Sequence, residues 1–92
     1  MSKVRHYCLT FYTEPKHKLP TGVRYAIYGK ETCPTTGKTH WQSYIELHNP
    51  QRLSWIKKAY EDNTIHAETR RGTRNQAREY CTKDDNFTEY GT

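Results

Sequence analysis

Hydrophobic and polar positions alternate along three stretches of this chain, and each alternation predicts a β-strand. Over residues 4–13 (VRHYCLTFYT), Tyr7, Leu9 and Phe11 fall on one face and His6, Cys8, Thr10 and Tyr12 on the other. Residues 23–31 (VRYAIYGKE) are rich in β-branched and aromatic side chains and predict a second strand. Over residues 39–48 (THWQSYIELH), Trp41, Ser43, Ile45 and Leu47 face one way, and His40, Gln42, Tyr44, Glu46 and His48 the other. Between the first two strands, Glu14 to Gly22 carries Pro15, Pro20 and several charges and predicts a loop, while Cys33 to Lys38 predicts a turn on Pro34 and Gly37.

The period then changes. Asn49-Pro50 has the form of an N-cap followed by proline at the first helical position. Leu53, Ile56 and Tyr60 supply an apolar stripe at i, i+3 and i+7, and Asp62-Asn63 predicts the helix end. Residues 64–70 suit a fourth strand. Thr73, with Gln76 three positions on, has a capping-box pattern that opens a second helix through Lys83. Phe87 to Tyr90 predicts a last edge strand. This order implies an α+β fold over residues 1–92 as one small domain. The expected form is an antiparallel four- to five-stranded sheet with helices packed on one face, ferredoxin- or RRM-like, leaving the other face for function.

Only 33% of the 92 residues are apolar, so the core must be thin, yet 13% are aromatic, which disordered chains are not. Fifteen Lys and Arg against ten Asp and Glu give a formal charge of +5, which suggests a polyanionic partner. No apolar run approaches the roughly 18 residues that would span a bilayer. The start, Met1-Ser2-Lys3-Val4-Arg5-His6, has no signal-peptide core, so no membrane partner and no secretion are expected. Three cysteines (Cys8, Cys33 and Cys81), odd in number and without a CxxC pair, fit reduced thiols in an intracellular protein.

Four constellations carry candidate chemistry. Thr36-Gly37-Lys38-Thr39 ends like a phosphate-binding loop, but Thr32 stands where the first glycine belongs and a strand follows instead of a helix, so a hairpin turn is the better reading. His40 and Gln42 share one strand face about 6.5–7 Å apart. If the second and third strands pair through the 32–38 turn, Glu31 comes alongside His40. One nitrogen, one amide oxygen and one carboxylate suit a hard divalent cation such as Mg²⁺ or Mn²⁺ better than structural Zn²⁺. On a half-solvated strand, alternating polar residues also arise without any metal. Tyr80 and Lys83 lie on one helix face. A free tyrosine is only about 0.1% ionised at neutral pH, and complete activation would need about 4 kcal/mol of phenolate stabilisation, of the sort a neighbouring ammonium and a divalent cation supply. In a chain with eight tyrosines such a pair is also commonplace. Finally, Arg70-Arg71-Gly72-Thr73-Arg74 reads either as a solvated turn or as a phosphate-holding segment at a helix start.

Taken together, these signals resemble one family. The chain is similar to the N-terminal nicking domain of replication initiator (Rep) proteins from circular single-stranded DNA viruses of the circovirus and nanovirus type, which are HUH-type endonucleases. Cys8-Leu9-Thr10-Phe11-Tyr12-Thr13 resembles the first motif, with Leu9 for Phe and Tyr12-Thr13 for two Asn. His40-Trp41-Gln42-Ser43-Tyr44-Ile45-Glu46 resembles the second, in the form where Gln replaces the second His. Glu79-Tyr80-Cys81-Thr82-Lys83-Asp84 resembles the third, a YCxK followed by an acid. Glu31 falls where the family places a carboxylate ligand, and Arg71-Gly72-Thr73 is similar to the family's approach to the tyrosine helix. The Glu14 to Gly22 segment is short where relatives place a helix.

The resemblance implies that Glu31, His40 and Gln42 bind one Mn²⁺ or Mg²⁺. It implies that Tyr80 attacks phosphorus in single-stranded DNA at an origin stem-loop, leaving a 5′-phosphotyrosine, and that Lys83 assists by charge. Thr10, Tyr12, Arg70, Arg71 and Arg74 would contact the DNA, and contributions from Asp84 and His48 stay open. It further implies a full-length protein with a C-terminal helicase domain, able to oligomerise and resident in a host nucleus. The competing expectation is a non-catalytic RNA- or single-stranded-DNA-binding module using its aromatics and arginines. That reading leaves Glu31, His40, Gln42 and the Tyr80/Lys83 pair as coincidence.

Overall fold

Alternation along the strands sets the architecture. In the computed structural model, which describes residues 3–70, 72–83 and 85–92, the strands are β1 (Val4–Phe11), β2 (Val23–Thr32), β3 (Thr39–Gln51), β4 (His66–Thr69) and β5 (Phe87–Gly91). They form one five-stranded sheet in the order β4-β1-β3-β2-β5. Every neighbouring pair is antiparallel. Two short helices complete the fold, α1 (Leu53–Tyr60) and α2 (Arg74–Cys81). The α+β class and the edge position of the last strand are as the sequence predicts. Among the described residues no helix is long and apolar enough to cross a membrane.

The helices do not share a face. Tyr7, Leu9 and Phe11 of β1 pack with Ala26, Tyr28, Ile45, Leu47 and with Ile56 and Tyr60 of α1. The alternate residues Cys8, Tyr25, Ile27 and Tyr44 pack with Ala77 and Cys81 of α2. This corrects the expectation of one covered face and one free face. The reason lies in the central strands, which carry apolar or aromatic side chains on both sides and therefore need a cover on each. Small side chains let α2 come close. A Cβ added at Gly29 of β2 would overlap the Cys81 carbonyl oxygen, so only glycine allows the helix end to sit there. Gly29→Ala is expected to cost about 1–3 kcal/mol through overpacking, measured as a lower urea midpoint. An unchanged midpoint would show that α2 does not rest on this position.

Element boundaries follow local chemistry. The capping box at α2 is present: the Gln76 amide N–H donates to Thr73 Oγ1 at 3.2 Å and the Thr73 N–H to Gln76 Oε1 at 2.9 Å. The helix stops at Cys81, leaving Lys83 in the following turn rather than in the helix. Asn49-Pro50, in contrast, is not an N-cap. β3 runs on through both residues, the Tyr7 hydroxyl donates to the Gln51 carbonyl at 2.7 Å, and α1 begins after an extended Arg52 whose side chain makes no cap. Of the eight tyrosines, Tyr7, Tyr25, Tyr28, Tyr44 and Tyr60 are buried in the core, while Tyr12 and Tyr80 are exposed. Most of the aromatic content is thus structural.

Candidate active site

Antiparallel register brings the first two candidates together. Glu31 and His40 are direct cross-strand partners on β2 and β3. Their side chains stand on the α2 face of the sheet, with Glu31 Oε2 2.9 Å from His40 Nε2 and both mostly buried, 16% and 29% exposed. Gln42 follows two residues on, on the same face. Its Oε1 accepts a hydrogen bond from Thr10 Oγ1 at 3.3 Å, because Thr10 is its cross-strand partner on β1.

Helix α2 delivers the other two. Ala77 and Cys81 are its buried positions. That orientation leaves Tyr80 half exposed beside the sheet, at 52%. The turn after Cys81 folds Lys83 back so that its Nζ lies 4.7 Å from the Tyr80 ring centroid and 3.6 Å from Glu31 Oε1. A cleft of about 450 Å³ opens beside Tyr80, lined by Thr10, Gln42 and His66 from the sheet and by Gln76 and Tyr80 from α2. Lys83 therefore joins Tyr80 to Glu31, and the cleft joins Tyr80 to Gln42.

The donor set can be read chemically. Glu31 Oε1 is a buried oxygen without a hydrogen-bond partner among the described residues. A desolvated carboxylate oxygen is costly unless a cation or donor reaches it; the Lys83 ammonium at 3.6 Å supplies one positive charge, without a hydrogen bond, and a bound cation would supply more. No three His, Cys, Asp or Glu side chains converge among the described residues, so a cation here would need the Gln42 amide oxygen as its third protein ligand. Carboxylate, imidazole and amide are hard or borderline donors, suited to Mg²⁺ or Mn²⁺ with water completing the shell.

The residues expected to contact DNA are spread more widely. Thr10 lines the cleft. Tyr12, 57% exposed, lies just past the end of β1. Arg70 donates from Nη1 to the Tyr44 hydroxyl at 3.0 Å. Arg74 donates from Nε to Glu46 Oε2 at 2.6 Å, with its guanidinium 4.8 Å from the Tyr25 ring centroid. Arg71 and Asp84 lie outside the described residues. His48 is eight residues from His40, roughly 25 Å along a strand, and does not join the site.

One residue the motif reading left without a role is Glu46, which is 1% exposed. Its Oε1 pairs with Arg24 Nη2 at 2.6 Å, and its Oε2 accepts from Arg74 and, at 2.7 Å, from the Tyr44 hydroxyl. Burial pushes the Glu46 carboxyl upward, but the Tyr44 hydroxyl, Arg74 and Arg24 outweigh it and hold the group below the usual carboxylate range. Strand parity already placed Glu46 on the face of His40 and Gln42. Its partners, distant in sequence, carried no signal.

A family described as putative viral replication protein matches residues 4–84. The replication-associated protein of Human associated cyclovirus 1 is 40% identical over 97 residues, covering 98% of this chain and 34% of that protein. The Para-Rep C1 of Faba bean necrotic yellows C11 alphasatellite is 38% identical over 69 residues, covering 75% of this chain and 24% of that protein. The master replication protein of Milk vetch dwarf virus is 36% identical over 67 residues, covering 73% and 22%. The chain thus spans 34% or less of the length of these relatives. With the match running from the first strand through the segment that carries Tyr80 and Lys83, the chain belongs to the viral replication protein family.

Proposed function

We propose that this domain nicks and rejoins single-stranded DNA at a viral replication origin by transesterification through Tyr80. The observation that carries the reading is the position of Lys83, whose ammonium stands between the Tyr80 ring and the buried Glu31 carboxylate. A phenol, an ammonium, a carboxylate–imidazole pair and an amide on one face are more than a binding surface requires. The names of the relatives, replication-associated protein and master replication protein, fit the same role.

In this reading the cleft beside Tyr80 receives the strand and presents one phosphodiester to the phenol oxygen. The Tyr80 oxygen forms a bond to phosphorus as the bond from phosphorus to the 3′-oxygen breaks. The phenol loses its proton, the departing 3′-oxygen gains one, and a 5′-phosphotyrosine remains on the protein. Attack by a 3′-hydroxyl reverses the step, so cutting and joining need no nucleotide cofactor. Lys83 places positive charge beside the oxygens where negative charge builds. Glu31, His40 and Gln42 would hold one Mn²⁺ or Mg²⁺, which when bound supplies charge stabilisation to the scissile phosphate. Thr10 orients the Gln42 amide by donating to its oxygen. Tyr12, Arg70 and Arg71 would steer the strand. A helicase domain, oligomerisation and nuclear residence are what the same reading expects of the whole protein.

The test uses an origin-like oligonucleotide with a 3′ label. With Mn²⁺ present, a band of DNA-linked protein is expected on a denaturing gel. It should disappear with EDTA and return when Mn²⁺ or Mg²⁺ is restored. Equal adduct with and without chelator would remove the metal from the reading.

A further inference from the structure

Helix α2 has eight residues, well short of the roughly 12–15 at which an isolated helix becomes even marginal in water. Its buried contacts with the sheet are small, Ala77 and Cys81 alone. Something else must fix where its last turn, and hence Tyr80, stands. Two arginines one turn apart do so. The guanidinium carbons of Arg74 and Arg78 lie 4.8 Å and 5.9 Å from the centroid of the same ring, Tyr25. Arg74 is pinned by Nε to Glu46 Oε2 at 2.6 Å. Arg78 is pinned by Nε to the Tyr25 hydroxyl at 2.9 Å and by Nη2 to Glu89 at 2.5 Å. Glu46 is the anchor. It is almost wholly buried, both of its oxygens are engaged, and its second oxygen is tied to Arg24 on β2.

We infer that Glu46, through Arg74 and the Tyr25 ring, is a positioning residue that holds the nucleophile helix at the height where Tyr80 meets Lys83 and lines the cleft with Gln42. The inference rests on the reading of Tyr80 as nucleophile. It also reassigns Arg74, which the sequence alone offers as a phosphate contact, to a clamp inside the protein. Tyr80 is two positions beyond Arg78 and six beyond Arg74, so a helix released at its first turn pivots the phenol against the sheet. A displacement of about 1 Å at a reacting atom is enough for rate losses on the order of 10²-fold.

The two roles of the arginine separate in one experiment. Were Arg74 a phosphate contact, Glu46→Gln would remove a competing negative charge and leave DNA binding equal or tighter, with no loss of rate. The clamp predicts instead a DNA affinity within about twofold of the unsubstituted protein, and a single-turnover rate of adduct formation at saturating DNA at least tenfold lower. Arg74→Lys keeps the charge but loses the planar guanidinium, and should behave the same way. A phosphate contact at that position would keep most of its binding. Amide hydrogen exchange supplies a readout independent of chemistry. In Glu46→Gln the amides of residues 77–81 should exchange at least about tenfold faster, while those of residues 43–45 in the sheet stay protected. Folded Glu46→Gln and Arg74→Lys proteins with rates within twofold of the original would overturn the inference, as would unchanged exchange in α2. A protein that forms no adduct even without substitutions, yet shows faster α2 exchange in Glu46→Gln, would overturn the tyrosine chemistry and keep the clamp.

Discussion

Tyr80→Phe is expected to abolish the covalent protein–DNA adduct while leaving the fold and the DNA affinity as they were. The substitution removes one oxygen and keeps the ring that Lys83 overlies at 4.7 Å. Tyr80 is 52% exposed, so the change should move stability by no more than about 0.5 kcal/mol. Affinity should persist because phosphate contacts and base stacking do not need the hydroxyl. Loss of the attacking atom itself is different in kind from loss of a supporting group. Cleavage should fall by at least about 10⁴-fold, to background on a denaturing gel. Persistence of the adduct in a folded Tyr80→Phe protein would place the nucleophile elsewhere.

His40→Ala should separate catalysis from binding more sharply than any other substitution in the sheet. The imidazole stands 2.9 Å from Glu31 and is mostly buried. Its removal leaves two of the three proposed ligands. The expected result is a loss of about 10²–10³-fold in the cleavage rate, the size seen when one preorganised charge-stabilising group is lost. DNA affinity should change by no more than about threefold, since affinity comes mainly from phosphate contacts. Single-turnover rates and equilibrium binding, measured on the same preparation, decide it. Parallel losses in rate and affinity would argue that His40 is structural.

Much of this arrangement could be read before the structure. Period-2 alternation put His40, Gln42 and Glu46 on one side of a strand, and a short turn between two strands was enough to set Glu31 against His40. The capping box at Thr73 and Gln76 fixed where α2 begins. What could not be read depends on contacts between distant residues. Nothing in the local pattern says which face a helix crosses to, and α2 crosses because Tyr25, Ile27 and Tyr44 need cover on the side opposite α1. Asn49-Pro50 carries every local mark of a helix start, yet pairing between β1 and β3 skips from Glu46 to Gln51, and Pro50 falls in that gap, where a missing N–H costs no ladder bond. The Glu46–Arg74 pair joins residues 28 apart in sequence, so it became visible only in three dimensions.

In the proposed chemistry the Tyr80 phenol oxygen is the atom that joins protein to DNA. The most direct measurement is to form the adduct with Mn²⁺, digest it, and locate the nucleotide-bearing peptide by mass spectrometry with fragmentation. The predicted attachment is a 5′-phosphodiester on Tyr80. Attachment to Tyr12, the other exposed tyrosine of the domain, or to any other side chain would contradict it.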